Sequence, residues 1–190
     1  MGEITRNTKE TQITAKVNIY GKGRANINTG VGFLDHMLES FSKHSLIDID
    51  LHCKGDIHID DHHSVEDSAI ALAGAIKQDL FPVKNINRFA SHTMVMDEAA
   101  VECGIDISGR AFLVFELGIV GKIGTFDVEL VEEFFRAFAF NLGITLHIVQ
   151  KRGKNQHHIV ECSFKALAFT LREAMSVNEK VGIPSTKGTI

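Results

Sequence analysis

The sequence predicts an α+β fold made by internal duplication, in which each half is a sheet with helices packed on one face. One observation is a repeated motif: the pattern H-H-x-V-E at residues 62–66 returns at residues 157–161, displaced by the same 95 positions at both ends. Another is the order of the elements, because strand patterns precede helical patterns in each half. A fixed displacement between similar segments indicates duplication. We therefore expect two structural repeats, residues 1–87 and 88–190, that form one compact unit.

In the first half, alternation of apolar and polar residues predicts two strands, and apolar residues recurring every three or four positions then predict a helix. A third alternating segment and a second helical segment follow. Asp60 or Asp61 is the expected N-cap of this second helix, and Pro82 ends it because proline cannot continue a helix. We place strands at residues 4–10, 12–20 and 47–51, helices at 33–41 and from the N-cap to Leu80, and turns at 21–26 and 54–56.

The second half repeats this order of strands and helices. No change in composition marks a linker between the halves, so we expect them to pack closely together. Ser108-Gly109 is predicted to form a tight turn between the second and third strands of this half. The strands are placed at residues 93–96, 100–107, 112–117 and 145–149, the helices at 128–141 and 158–175, and a further turn at 152–155.

Composition narrows the classes of protein that fit. The 190 residues are 44% hydrophobic and 23% charged, which is enough for a sizeable core. A net charge of −4 without a long basic run argues against nucleic-acid binding. The polar start and the absence of a long apolar run argue against a signal segment or membrane span, so we expect a cytoplasmic protein. Cys53, Cys103 and Cys162 are far apart, which argues against a disulfide framework or a thiolate zinc site.

Histidine and glutamate one helical turn apart can chelate a divalent ion, and the repeated motif supplies such a pair in each half. His62 and Glu66 share one helix face, whereas the neighbouring His63 diverges by about 100° around the axis. We therefore expect two metal sites that exchange ligands between the halves or between subunits. The alternative is that these groups merely occupy solvated first turns of helices. His52 and His147 form a third pair at the same displacement.

Four longer motifs, in their order along the chain, resemble those of imidazoleglycerol-phosphate dehydratase, an enzyme of histidine biosynthesis. The resemblance extends from Arg6 to Gly188 and implies a duplicated α+β fold that binds manganese. It also implies a 24-mer, a homo-oligomer with active sites between subunits. The motifs are T-G-V-G-F-L-D-H-M-L at residues 29–38, D-D-H-H-S-V-E-D at 60–67, T-L-H-I at 145–148 and G-K-N-Q-H-H at 153–158.

The resemblance implies two divalent metal ions per active site, taken as Mn(II). It favours His36 over His52 as a ligand from the first half, because His36 lies in the matching D-H-M-L segment. Helix geometry combined with three imidazoles and one carboxylate per ion then predicts a partition of the ligands. One ion receives His36, His62, Glu66 and His158, and the other receives His63, His147, His157 and Glu161.

The resemblance also implies a site for a phosphate ester. Arginine suits this role because its planar fork donates two parallel hydrogen bonds. The hydroxyl and backbone N–H groups of the Pro-Ser-Thr-Lys-Gly tail could complete the site. The predicted substrate-binding residues are Glu10, Arg88, Arg110, Ser185 and Lys187, and the predicted catalytic carboxylates are Glu10 and Glu161.

The implied reaction is loss of water from D-erythro-imidazole glycerol phosphate to give imidazole acetol phosphate. No carbonyl acidifies the carbon that loses its proton, so the imidazole ring must accept the electrons, and two metal ions on its nitrogens would stabilise the imidazolate. Two other functions stay open, a structural or storage assembly that binds metal and a metal-dependent phosphatase. A structural assembly predicts that protein ligands fill every coordination position of the ion and that no phosphate-binding cations are needed. A phosphatase favours ligand sets rich in carboxylates.

Overall fold

The computed structural model describes residues 1–188 and 190. The first half contains the strands β1 (Gly2–Asn7), β2 (Thr11–Asn18), β3 (Ala25–Asn28) and β4 (Asp48–Gly55) and the helices α1 (Gly32–Ser45) and α2 (His62–Leu80). The strands form one sheet with the spatial order β1-β2-β4-β3. β1, β2 and β4 are antiparallel neighbours, whereas β3 runs parallel to β4.

The second half forms a sheet of its own. Its elements are the strands β5 (Phe89–Met96), β6 (Ala99–Asp106), β7 (Phe112–Glu116), β8 (Lys122–Ile123), β9 (Phe126–Asp127) and β10 (Thr145–Arg152) and the helices α3 (Glu129–Leu142) and α4 (Gln156–Ala174). Four of the strands pair in the order β5-β6-β10-β7, with β7 parallel to β10. β8 and β9 form a separate two-stranded sheet.

The two four-stranded sheets have the same topology. Counted along the chain, the third strand of each sheet (β3 or β7) lies at the edge and runs parallel to the last strand of that sheet (β4 or β10). One helix precedes that last strand and another follows it. The predicted α+β fold with internal duplication is therefore confirmed. The repeat boundary between residues 87 and 88 stays a prediction, and it falls in the connection between α2 and β5.

The helices of the two halves meet in one core, because α1 packs against α4 and α2 packs against α3. Phenylalanines of α3 also contact α1 and α4. The ring of Phe138 lies 6.0 Å from Phe41 of α1, and the ring of Phe134 lies 4.9 Å from Phe164 of α4. All four side chains are buried. Truncating one of them to alanine typically costs about 3–5 kcal/mol, so these rings contribute strongly to the stability of the shared core.

Several element predictions differ from the structure. Residues 21–26 are predicted as a turn, yet Ala25–Asn28 forms the short edge strand β3. Its two asparagines are residues typical of turns, so the sequence does not predict a strand here. Gly109 makes the expected turn, with φ of 72°, but β6 and β7 do not pair because β10 lies between them. The β8–β9 hairpin is absent from the prediction, since two residues per strand give no periodic signal.

Within the described part of the chain, no helix combines the length and apolarity needed to cross a membrane.

Candidate active site

Three predicted metal ligands come together where α1 meets the start of α4. Candidate ligand atoms of His36, His157 and Glu161 all lie within 4.8 Å of one another. One carboxylate oxygen of Glu161 is 3.2 Å from Nε2 of His157 and 3.7 Å from Nε2 of His36. Two imidazoles and a carboxylate at these distances form a donor set that suits a divalent ion.

Capping at the start of α4 positions two of these ligands. Asn155 is the N-cap, and its side-chain oxygen accepts hydrogen bonds from the backbone N–H groups of His157 at 3.0 Å and His158 at 3.4 Å. The helix therefore begins at Gln156, two residues earlier than predicted. This start places His157 and Glu161 on one face, one turn apart.

Lys165 lies beside this cluster, one turn further along α4. Its ammonium group donates to Oε1 of Glu161 at 2.7 Å. Burial alone would raise the pKa of Glu161, but the hydrogen bond and charge of Lys165 and the nearby His36 outweigh burial and keep that pKa below its ordinary value. Glu161 is therefore held as a carboxylate, which is the form that binds a metal.

The corresponding pair in the first half is more open. Nε2 of His62 lies 3.8 Å from a carboxylate oxygen of Glu66, and each side chain is 43% exposed. The α2 N-terminus also lacks a cap from Asp61, and Oδ1 of Asp60 accepts from the backbone N–H of His62 instead. Among residues 1–188 and 190, His36, His157 and Glu161 are the only group of three such ligands close enough to share an ion.

His63 turns away from His62, as the helix geometry predicts. Their rings are nearly perpendicular, at 89°. Nδ1 of His63 lies 3.1 Å from a carboxylate oxygen of Asp56, and its Nε2 lies 3.8 Å from Glu10. The hydrogen bond to Asp56 raises the pKa of His63.

His158 has an equivalent environment in the second half. Its Nδ1 lies 2.8 Å from Oε2 of Glu98, and its Nε2 lies 3.8 Å from Asp97. The hydrogen bond to Glu98 raises the pKa of His158, and the same contact lowers the pKa of Glu98 to about 2.

His147 and His52 lie on the faces of the two sheets that point away from the helices. His147 is exposed on β10, between the buried Leu146 and Ile148. His52 lies on β4, where its Nε2 is 2.9 Å from Asp50. Neither histidine joins the three-ligand cluster of its own chain.

A cationic cleft of ≈ 610 Å³ lies at the end of the second sheet that is remote from His158. Arg88 is its most buried cation, and Asp106 accepts hydrogen bonds from Nε and Nη2 of Arg88 at 2.7 and 3.1 Å. Asp106 also contacts Arg110 at 3.5 Å. Nη1 of Arg88 donates to the backbone carbonyl of Pro184, which ties the tail to the cleft. The lining comprises Arg88, Phe89, Arg110 and residues 183–187.

Comparisons with known proteins agree on one family. A model of the family described as imidazoleglycerol-phosphate dehydratase matches residues 29–171. Curated proteins of that name from Sulfurovum sp. and Aliarcobacter butzleri are 63% and 60% identical to this chain, over all 190 residues and the whole of each relative.

The chain belongs to the imidazoleglycerol-phosphate dehydratase family.

Solved structures of the family share the fold. That of the Staphylococcus aureus dehydratase is 36% identical, has a TM-score of 0.83, and aligns over 93% of this chain and 99% of its own. That of the Pyrococcus furiosus protein is 35% identical, has a TM-score of 0.86, and aligns over 98% and 100%. Family membership confirms the predicted enzyme class, a hydro-lyase, and supports a role in histidine biosynthesis.

The predicted partition of ligands stays a prediction, but the geometry of one chain favours a different grouping of His36. The partition assigns His36 to a different ion from His157 and Glu161, yet the three lie together. The reason is that α1 packs against α4, not against the α2 helix that carries His62 and Glu66. Helix geometry predicts which neighbours on one helix share a face, but it carries no information about which helices meet.

Sequence reasoning missed four polar residues that contact predicted site residues. Lys165 has a local signal, because it stands four residues after Glu161 on the same helix. The other three are distant in sequence from the residues that they hold, or are separated from them by turns, so no spacing rule identifies them. They are Asp56 beside His63, Glu98 beside His158, and Asp106 between Arg88 and Arg110.

Proposed function

We propose that this chain catalyses loss of water from D-erythro-imidazole glycerol phosphate to give imidazole acetol phosphate in histidine biosynthesis. The observation that carries the proposal is the cluster of His36, His157 and Glu161, together with the cationic cleft. A metal ion held by this cluster of side chains would suit the imidazole end of this substrate, and paired arginines would suit its phosphate end. We also propose a cytoplasmic location, in keeping with three free cysteines.

The donor atoms of the cluster fit a divalent metal. We propose two divalent ions per active site, as Mn(II), with His36, His157 and Glu161 among the ligands of one. The remaining predicted ligands, His62, His63, Glu66, His147 and His158, complete the two sites. When bound, the ions would act as Lewis acids towards the imidazole of the substrate.

In the cationic cleft, Arg88, Arg110, Lys187 and the hydroxyl of Ser185 bind the phosphate group. Asp106 uses two donors of Arg88 and so fixes the plane of its guanidinium group. Lys187 stands two residues after Ser185 in the tail, and its backbone N–H donates to Oγ of Ser185 at 3.2 Å. The tail thus brings a cation and a hydroxyl to the same side of the cleft.

Glu10 is the carboxylate that we propose to move a proton. It lies in the turn between β1 and β2, and its side chain is 52% exposed beside His63. Glu161 is also predicted to be catalytic, but its contacts with His36, His157 and Lys165 favour the role of a ligand.

One chain places the two ends of the proposed site too far apart for one substrate molecule. Arg88 precedes the eight residues of β5, and Glu98 with His158 lies beyond the other end of that strand. Eight residues at ~3.4 Å each span roughly 27 Å, whereas imidazole glycerol phosphate is only about half as long. This separation supports a site between subunits, and we propose a homo-oligomer, the 24-mer of the predicted assembly.

The test is to incubate the protein, loaded with Mn(II), with imidazole glycerol phosphate while measuring both the keto product and free phosphate. Ketone without phosphate release is the expected result. Phosphate release would favour the metal-dependent phosphatase instead, and neither product would favour the structural assembly. An Arg88→Lys variant should lose activity mainly through a raised KM, because lysine cannot make the forked contact.

A further inference from the structure

The second histidine of each H-H-x-V-E motif meets a carboxylate at Nδ1. In the second half the partner is Glu98, at 2.8 Å from His158. In the first half it is Asp56, at 3.1 and 3.2 Å from His63. Glu98 belongs to the turn between β5 and β6, whereas Asp56 follows β4. The same contact therefore arises from different elements and is not a passive copy of one duplicated segment.

A carboxylate at Nδ1 determines what the rest of the ring can do. The carboxylate only accepts hydrogen bonds, so Nδ1 must carry the proton. Nε2 of the neutral ring then has a free lone pair and is its only ligand atom. Such a contact also fixes the orientation of the ring and makes Nε2 more basic.

Glu98 is itself held in place. Its other oxygen, Oε1, accepts from the backbone N–H of Asn155 at 2.8 Å and of Lys154 at 3.2 Å. Asn155 is the residue that caps α4. Glu98 therefore presents Oε1 to the turn and Oε2 to His158, and it cannot exchange the two without losing these bonds.

We propose that Glu98 and Asp56 are positioning residues that hold His158 and His63 with Nδ1 protonated and Nε2 directed outward as a metal ligand. The inference rests on the proposed use of metal by this site. It assigns a function to two carboxylates that contact the predicted ligands at Nδ1, the ring nitrogen that would not bind the metal.

Substitution of Glu98 by glutamine separates this role from a structural one. In Glu98→Gln the amide oxygen can still accept from the N–H groups of Lys154 and Asn155, which keeps the turn. The NH₂ group then faces Nδ1 of His158 and donates to it, so the ring proton moves to Nε2 and blocks the ligand atom. Glu98→Ala removes both contacts.

The measurement is the affinity for Mn(II), determined by competition with a chelator of known strength on the assembled protein. Glu98→Gln should weaken one class of ion by about tenfold or more, nearly as much as Glu98→Ala. Glu102→Gln is the matched control, because its carboxylate is exposed to a similar degree, 42% against 43%, and pairs with Lys151. Asp56→Asn should have a smaller effect, since this side chain can rotate to present its oxygen.

The Mn(II) affinities of these variants separate the positioning role from a structural one. If the wild-type protein binds Mn(II) and Glu98→Gln binds it equally well while Glu98→Ala does not, Glu98 only braces the turn and the inference fails. If the wild type binds no Mn(II), the proposed function fails first. In a His158→Ala background, Glu98→Gln should cause no further loss of affinity, and an additional loss would overturn the assignment to His158.

Discussion

The two copies of the H-H-x-V-E motif both lie in the first turns of a helix, α2 or α4, but have different surroundings. In the second half, His157 and Glu161 meet His36 and Lys165, and Glu161 is nearly buried. In the first half, His62 and Glu66 are both half exposed. The duplicated fold thus gives two similar helix starts, yet only one of them gathers three ligands within the described chain.

The partner helices explain this difference. α1 carries His36 at its fifth position and packs against α4. α3 carries Glu133 at its fifth position and packs against α2, and Glu133 lies 3.9 Å from Arg136 of its own helix. The two halves thus share the same arrangement of helices, but the fifth residue of the partner helix is a histidine in α1 and a glutamate in α3. If the first half also binds an ion, as proposed, its further ligands must come from outside this pair of helices.

The largest expected effect tests the three-ligand cluster directly. His36→Ala should lower metal content and reduce activity by about 100-fold or more, beyond the ten- to hundredfold cost of disturbing a ligand's support. His52→Ala is the control, because His52 contacts Asp50 and Asn26 on the outer face of the first sheet. Metal analysis and rate measurements on both variants decide. If His52→Ala lost as much metal and activity as His36→Ala, then His52, which the internal repeat pairs with His147, would be the ligand instead.

Removal of the metal should affect the assembly. If the first-half ligands are completed by another subunit, a chelator should dissociate the particle into smaller species, and added Mn(II) should restore it. Size-exclusion chromatography with light scattering measures both steps. An unchanged large particle after complete metal removal would show that protein contacts alone hold the subunits.

The two motif glutamates should differ in their effect on the metal-free protein. Glu161→Gln leaves the ammonium group of Lys165 without its carboxylate partner in a largely buried place, so the free energy of unfolding should fall by about 1–3 kcal/mol. Glu66→Gln changes a half-exposed side chain and should stay within about 0.5 kcal/mol. Chemical denaturation in the presence of a chelator measures both. Equal losses would remove the distinction between the two sites.

Much of this site could be predicted from the sequence because its signals are local. The repeated motif and the divergence of His62 from His63 depend on short spacings, whereas the proposed role of the tail in binding phosphate depends on the family resemblance. The meeting of His36 with Glu161 depends on the packing of α1 against α4, two helices that are far apart in the sequence. The same holds for Glu98, whose contact with His158 joins a strand turn to a helix start. Such tertiary contacts join residues far apart in the sequence, so no regular spacing of residues predicts them.

The smallest effect concerns the strands that precede the motif helices. β4 begins with Asp48 and β10 with Thr145, so only the first half has a carboxylate at this position. The hydrogen bond from the side chain of Arg24, followed by those from the backbone N–H groups of Arg24 and Lys22, holds the pKa of Asp48 far below its ordinary value of 3.8.

Because the pKa of Asp48 is lowered by folding, its contribution to stability is present above pH 3.8 and is lost as the pH falls towards the folded value. The loop at Lys22–Arg24 should therefore loosen in acid, whereas Arg110, whose backbone carbonyl accepts from the hydroxyl of Thr145, should not respond through that neutral contact. Asp48→Asn should remove about 0.2–1 kcal/mol at neutral pH, as expected of an exposed ion pair. It should also flatten the acid dependence of the unfolding free energy. Unchanged acid dependence in Asp48→Asn would show that other carboxylates govern it.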